Sequence, residues 1–128
     1  MALHYNLAKV YEISANDHDF VQKIANLFVT EIPQDLIQLK EGIDAKNYQL
    51  AHSYAHKIKP TLDLLGMTVA VEETIYIETW TKNEGKRKEI IETYKSLEDR
   101  ISKAVKEISK DIVPHLLIKK EIDTRISL

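Results

Sequence analysis

Between Ile90 and Ile112 the apolar residues Ile90, Tyr94, Leu97, Ile101, Ala104 or Val105, Ile108 and Ile112 recur three and four apart, with Glu, Lys, Arg and Asp on the outer positions. That spacing is the period of one buried face of an α-helix, and so long a seam must be covered by other helices. The whole chain of 128 residues has only three Gly and three Pro, too little turn-forming material for a fold of many short strands. A chain of this length suits one domain with a core of its own.

The preceding sequence supplies the covering helices. After an apolar lead-in (Leu7, Val10, Tyr11, Ile13), Ser14-Ala15-Asn16-Asp17 offers N-cap residues, and Phe20, Ile24, Leu27, Phe28, Ile32, Leu36, Leu39 and Ile43 continue as one stripe. Pro33 falls inside that stripe; because the apolar phase is kept beyond it, a kink is expected and not a stop. Asn47 caps a second helix carrying Leu50, Ala51, Tyr54, Ala55, Ile58, Leu62 and Leu65 and closing at Gly66. Thr68 is the expected cap of a third, with Val69, Tyr76, Ile77 and Trp80 inward, fading at Lys82-Asn83-Glu84-Gly85. The expected fold is all-α, an up-and-down four-helix bundle with helices over about 17–46, 47–66, 68–83 and 86–112. A short lead-in precedes it, and the tail 113–128, past Pro114, has no clear caps and is left unassigned. Trp80, Tyr54, Tyr76 and Tyr94 lie on apolar stripes and read as core.

Composition removes several functions. No Cys means no disulfide, no thiolate nucleophile and no thiolate metal site. A formal net charge of -2 argues against a nucleic-acid surface, and Lys86-Arg87-Lys88 reads as a solvated helix end. The start Met1-Ala2-Leu3-His4-Tyr5 does not resemble a secretory signal and no apolar run approaches membrane-spanning length, so a soluble, cytoplasmic protein is expected. Gly-rich phosphate loops, Ser-His-Asp signatures and zinc-protease motifs are missing from the sequence.

Chemistry concentrates on the second helix. At about 100° per residue, its core stripe centres between Tyr54 and Ile58, and His56 falls about 180° from that centre, toward solvent. Its surface neighbours are His52, Ser53, Lys59 and Pro60, with Asp63 one turn beyond Lys59. A neutral imidazole is a competent nucleophile near pH 7, and a phosphoryl group on it would gain Lys59 as counter-ion. His52 and His56 are spaced as two metal ligands could be, but no acid beyond Asp63 completes a set, and no metal site or bound cofactor is expected.

The block Ala55-His56-Lys57-Ile58-Lys59-Pro60-Thr61, followed by Leu65-Gly66, resembles the signature of histidine-containing phosphotransfer (HPt) domains of bacterial phosphorelays, Ala-His-x-Leu-Lys-Gly-Ser followed by Leu-Gly. The likeness extends through Asp17 to Phe20, Phe28, Pro33 and Asn47-Tyr48 and covers roughly residues 5 to 110. The resemblance implies a four-helix bundle whose His56 accepts a phosphoryl group from a receiver-domain aspartate and passes it to another receiver. It makes Lys59 the phosphate-facing lysine and Lys57 a partner-facing one, within a docking surface of His52, Ser53, Lys57, Pro60, Asp63 and Leu64. It also implies receiver domains of a hybrid histidine kinase or response regulator as partners. Mg²⁺ would sit on the receiver, and this chain would have no ATP-dependent activity of its own. Pro60 stands where the family has Gly; lacking an N–H for the His56 carbonyl, it predicts a local bend that tilts the imidazole.

Two other readings fit parts of the pattern. A dimerisation fragment of a sensor kinase also carries a histidine shortly before a Pro, but usually with an acidic residue where Lys57 stands, and it would dimerise where an HPt-like bundle is expected to be a monomer. A helical module that docks receivers without transfer would not need both His56 and Lys59.

Overall fold

A computed structural model of the protein describes residues 4–111; Ile112 and the tail 113–128 lie outside the described residues. Five helices follow one another: α1 (Ala8–Ile13), α2 (His18–Asp44), α3 (Tyr48–Leu64), α4 (Thr68–Lys82) and α5 (Arg87–Asp111). There is no strand among the described residues. The apolar lead-in is therefore itself helical over six residues, where the sequence suggested no element, because Val10 is fully buried while Ile13 points outward.

Helices α3 and α5 each pack against both α2 and α4. The space they enclose is filled by fully buried side chains such as Phe28, Leu39, Ile58, Leu62, Ile77 and Leu97. The seam on α5 falls as its spacing required, with Ile90, Tyr94, Leu97, Ile101, Ala104 and Ile108 all buried. The Tyr94 phenol reaches into this space, 3.0 Å from the Leu36 carbonyl and 2.9 Å from the Glu98 carboxylate. Burial first, and then the neighbouring Glu98 charge, push its ionisation far above the ordinary tyrosine value.

Asp17 caps α2, its side chain accepting from the backbone N–H groups of Asp19 and Phe20 at 3.0 and 3.2 Å. The helix runs through Pro33 without a stop. Loss of the bond to the Val29 carbonyl is outweighed by the flanking turns, which bury Phe28, Ile32, Leu36 and Leu39. Phe20 and Leu27 are corrections to the expected stripe, being 37% and 41% exposed. The line nearest the core in this half of α2 is Val21, Ala25 and Phe28, one position around the helix, where small side chains let the neighbours approach.

Asn47 caps α3 as expected, its Oδ1 accepting from the Leu50 N–H at 3.1 Å. Just inside this turn a Cβ on Gly42 would stand 2.7 Å from the Ala51 backbone nitrogen, so α2 and α3 meet backbone to backbone. At the other end Gly66 takes φ 66°, and a side chain there would strike Asn6, whose N–H donates to the Leu65 carbonyl at 2.7 Å. The N-terminal segment is thereby clipped to the end of α3.

Helix α4 departs most from expectation. Met67, not Thr68, holds the cap position, and no side chain caps the helix; Thr68 is already its first residue. Val69 and Tyr76 are exposed, whereas Thr74, Glu78 and Thr81 are buried beside Ala70, Ile77 and Trp80. Trp80 does pack inward, its Nε1–H donating to the Lys86 carbonyl at 2.9 Å, which fixes the turn into α5. Of the other tyrosines read as core, Tyr94 is buried and Tyr54 half-buried.

Candidate functional site

The middle of α3 is held from beneath by Ala55, Ile58 and Leu62, all fully buried, and this turns His56 outward with its side chain 67% exposed. Pro60 lies inside the same unbroken helix, so the His56 carbonyl has no N–H four residues on to receive.

What positions the imidazole comes from α4. The Glu78 carboxylate, almost buried between the helices, accepts from Lys59 Nζ at 2.7 Å through one oxygen. Its other oxygen lies 3.4 Å from His56 Nδ1, a long contact. An ionised carboxylate can only accept, so the proton of the neutral ring sits on Nδ1 and the lone pair is on Nε2, facing away from α4. Burial works against ionisation of Glu78, but the bonds from Lys59 and His56 outweigh it and hold the carboxyl below the ordinary glutamate range. The ion therefore persists at neutral pH, as both contacts require.

One turn earlier His52 lies flat alongside, its ring 6.1 Å from that of His56 and within 8° of parallel. Its Nδ1 is 3.2 Å from Thr81 Oγ1. His52 and Ser53 also border an open groove of about 450 Å³ between the start of α3 and the end of α4, with Tyr48, Gln49, Thr81 and Lys82 as its other walls.

The remaining residues singled out from sequence separate into two groups. Ser53 and Pro60 are exposed and Leu64 half-buried on the His56 side of α3. Lys57 turns the other way, its ammonium 2.9 Å from the buried carboxylate of Asp35 on α2 and 5.7 Å above the Tyr54 ring. The Asp35 bond is the main cause of its raised pKa. Asp63 pairs with Lys9 of α1 at 2.6 Å, both exposed. The fold thus gathers His52, His56 and Lys59 along the α3–α4 boundary and draws Lys57 and Asp63 to other helices.

Glu78, Thr81 and Asp35 enter the site only through the packing of α4 and α2 on α3. A signal for the first two exists, since Thr74, Glu78 and Thr81 interrupt the inward face of α4 at spacings of four and three, as a polar line meant for partners would. Among the described residues no group of three or more His, Asp or Glu is placed to hold a metal ion. None of the described helices is long and apolar enough to cross a membrane. No family model, curated protein or solved structure matches the chain.

Proposed function

We propose that this protein is a phosphohistidine carrier of the HPt kind, with α2 to α5 as the four helices of an up-and-down bundle and α1 as its lead-in. The observation that carries the reading is the shared carboxylate: Glu78 accepts from Lys59 and from His56 Nδ1, leaving Nε2 as the exposed nucleophile beside an ammonium. Nε2 would attack the phosphorus of a receiver's aspartyl phosphate in line; the Nε2–P bond forms, the aspartate O–P bond breaks, and the carboxylate leaves. The ring gains positive charge as it does so, and Glu78 at Nδ1 stabilises that charge. Lys59 moves from Glu78 toward the new phosphoryl oxygens. Mg²⁺, held by the receiver, supplies the remaining charge stabilisation.

The rim available to such a partner is formed by His52, Ser53, Pro60 and Leu64. Lys57 contributes through its stem, its charge being paired inward. A receiver domain working without a membrane or nucleic acid suits a cytoplasmic carrier. The kinase-fragment reading is less favoured because α2 to α5 already bury a core within one chain; light scattering is expected to give a monomer.

The direct test is incubation with a phosphorylated receiver and assay for acid-labile, base-stable phosphate. Label is expected on the wild type and none on His56→Gln with unchanged helicity. Equal label on both, or none on the wild type with any receiver tried, overturns the proposal.

A further inference from the structure

The hydrogen bonds around His52 fix more than its position. Thr81 has one hydroxyl proton, and Oγ1 donates it to the Glu78 carbonyl at 2.6 Å. Toward His52 Nδ1, 3.2 Å away, that oxygen can therefore only accept, which makes His52 an Nδ1–H tautomer with its lone pair on Nε2. His56 is held in the same tautomer by Glu78. Two imidazoles one helical turn apart, nearly parallel, thus have their Nδ1 protons engaged by α4 and their Nε2 lone pairs free.

We infer that His52 and His56 together form a binding site for a borderline divalent transition metal such as Zn²⁺ or Ni²⁺, through their Nε2 atoms. Metal-bound histidines characteristically donate the other ring N–H to a carboxylate or similar acceptor, which orients the ring and raises its basicity; Glu78 and Thr81 occupy those places. With metal–nitrogen bonds of about 2.0–2.1 Å in a tetrahedral site, the ring centroids would approach to about 5 Å. The present 6.1 Å separation of near-parallel rings requires the exposed ring of His56 to turn out of parallel, so that the two Nε2 lone pairs converge, and to close by about 1 Å. Lys59 does not oppose the ion, since its charge is matched by Glu78 at 2.7 Å. Two protein ligands leave the other positions to water, so binding is weaker than in a closed cage, and hard cations such as Mg²⁺ are not expected to bind there. The open groove beside His52 gives the ion its approach.

The site stands independently of the phosphocarrier reading. Where that reading holds, metal and phosphoryl group compete for the same His56 Nε2.

The test is titration of the full chain with Zn²⁺ in a buffer that does not chelate it, followed by calorimetry and by the imidazole ¹⁵N resonances. One ion is expected to bind, shifting Nε2 of His52 and His56 and raising the thermal midpoint. His52→Ala and His56→Ala should each abolish this, and Thr81→Val should weaken it about tenfold, the usual cost of losing an outer partner of a metal-bound histidine. His18→Ala should leave the affinity unchanged. Undiminished binding in either His52→Ala or His56→Ala, or Zn²⁺ shifts confined to His4 or His18, overturns the inference. Because no phosphorylated partner is present, failure here is distinct from failure of phosphotransfer.

Discussion

Helix α3 sends one lysine to each side, and each meets a carboxylate that the fold has buried. On the α2 flank Lys57 pairs with Asp35 at 2.9 Å; on the α4 flank Lys59 pairs with Glu78 at 2.7 Å. The pairings are alike in geometry, yet only Glu78 also holds a ring nitrogen, and only there does an exposed imidazole stand beside the ammonium. A lysine–carboxylate pair between helices is thus structural by default. It becomes a candidate for chemistry when the carboxylate has a second client whose reactive atom is left free. The two flanks make separable predictions.

The largest effect should come from the residue beneath both. Ile58 is fully buried between Lys57 and Lys59 in sequence and supports the whole middle turn of α3. Ile58→Ala should lower stability by about 2–5 kcal/mol, read by urea denaturation, as truncation of a buried aliphatic side chain does. A cost well below that would mean that the α3 flanks, not the core, hold the helix in place.

Next is the α4 flank. A hydrogen bond to a charged group contributes about 1.5–3 kcal/mol, and each 1.36 kcal/mol is a factor of ten in rate, so Glu78→Leu should slow phosphoryl uptake by about ten- to a hundredfold. Glu78→Gln, which keeps an acceptor oxygen for Nδ1–H but not the negative charge that steadies the phosphorylated ring, should lose part of the rate, less than Glu78→Leu. Equal losses in the two variants would show that the charge of Glu78, and not its hold on the tautomer, is what matters. Asp35→Asn should leave uptake at the wild-type rate, since the α2 flank touches no reacting atom.

The two variants of the α2 pair sharpen the comparison through stability alone. Lys57→Ala leaves the Asp35 carboxylate buried without its ammonium, whereas Asp35→Asn leaves a neutral amide and an exposed lysine that water can solvate. The lysine variant should therefore be the less stable of the two, measured by thermal unfolding at pH 7. The reverse order would mean that Asp35 is better solvated than its burial implies.

How much of this was legible follows the same division. The stripe on α5 and the inner positions of α3 were readable because each has an uninterrupted apolar line with charges opposite, so period alone fixes the buried face. His56 was legible as outward-facing by the same arithmetic. Near the start of α2 the apolar pattern points one position away from the buried line, because Phe20 and Leu27 outweigh Val21 and Ala25 by size, while close packing prefers the smaller pair. In α4 apolar residues surround the helix and Glu78 lies inside, so hydropathy could not tell Tyr76 outside from Thr74 within. Glu78 stands 22 residues from His56 on another helix, and only the packing of α3 on α4 brings them together.

The smallest predicted effect concerns acid. The folded Glu78 carboxyl is held below its ordinary value, so the unfolded chain takes up its proton first as pH falls. The resulting stabilisation is fully present above the ordinary glutamate pKa, about 4.3, and is lost as pH falls through the lower folded value. Asp44, held down chiefly by its bond from Lys40 and then by that from Arg87, follows the same sign but is exposed, and its contribution is screened. Stability measured from pH 6 to pH 2 should therefore fall less steeply in Glu78→Gln than in the wild type, with the two curves converging at the acid end apart from a constant offset. Parallel curves would mean that Lys59 and His56 do not hold Glu78 ionised in solution. The shared carboxylate, on which the difference between the two flanks rests, would then fail at its first requirement.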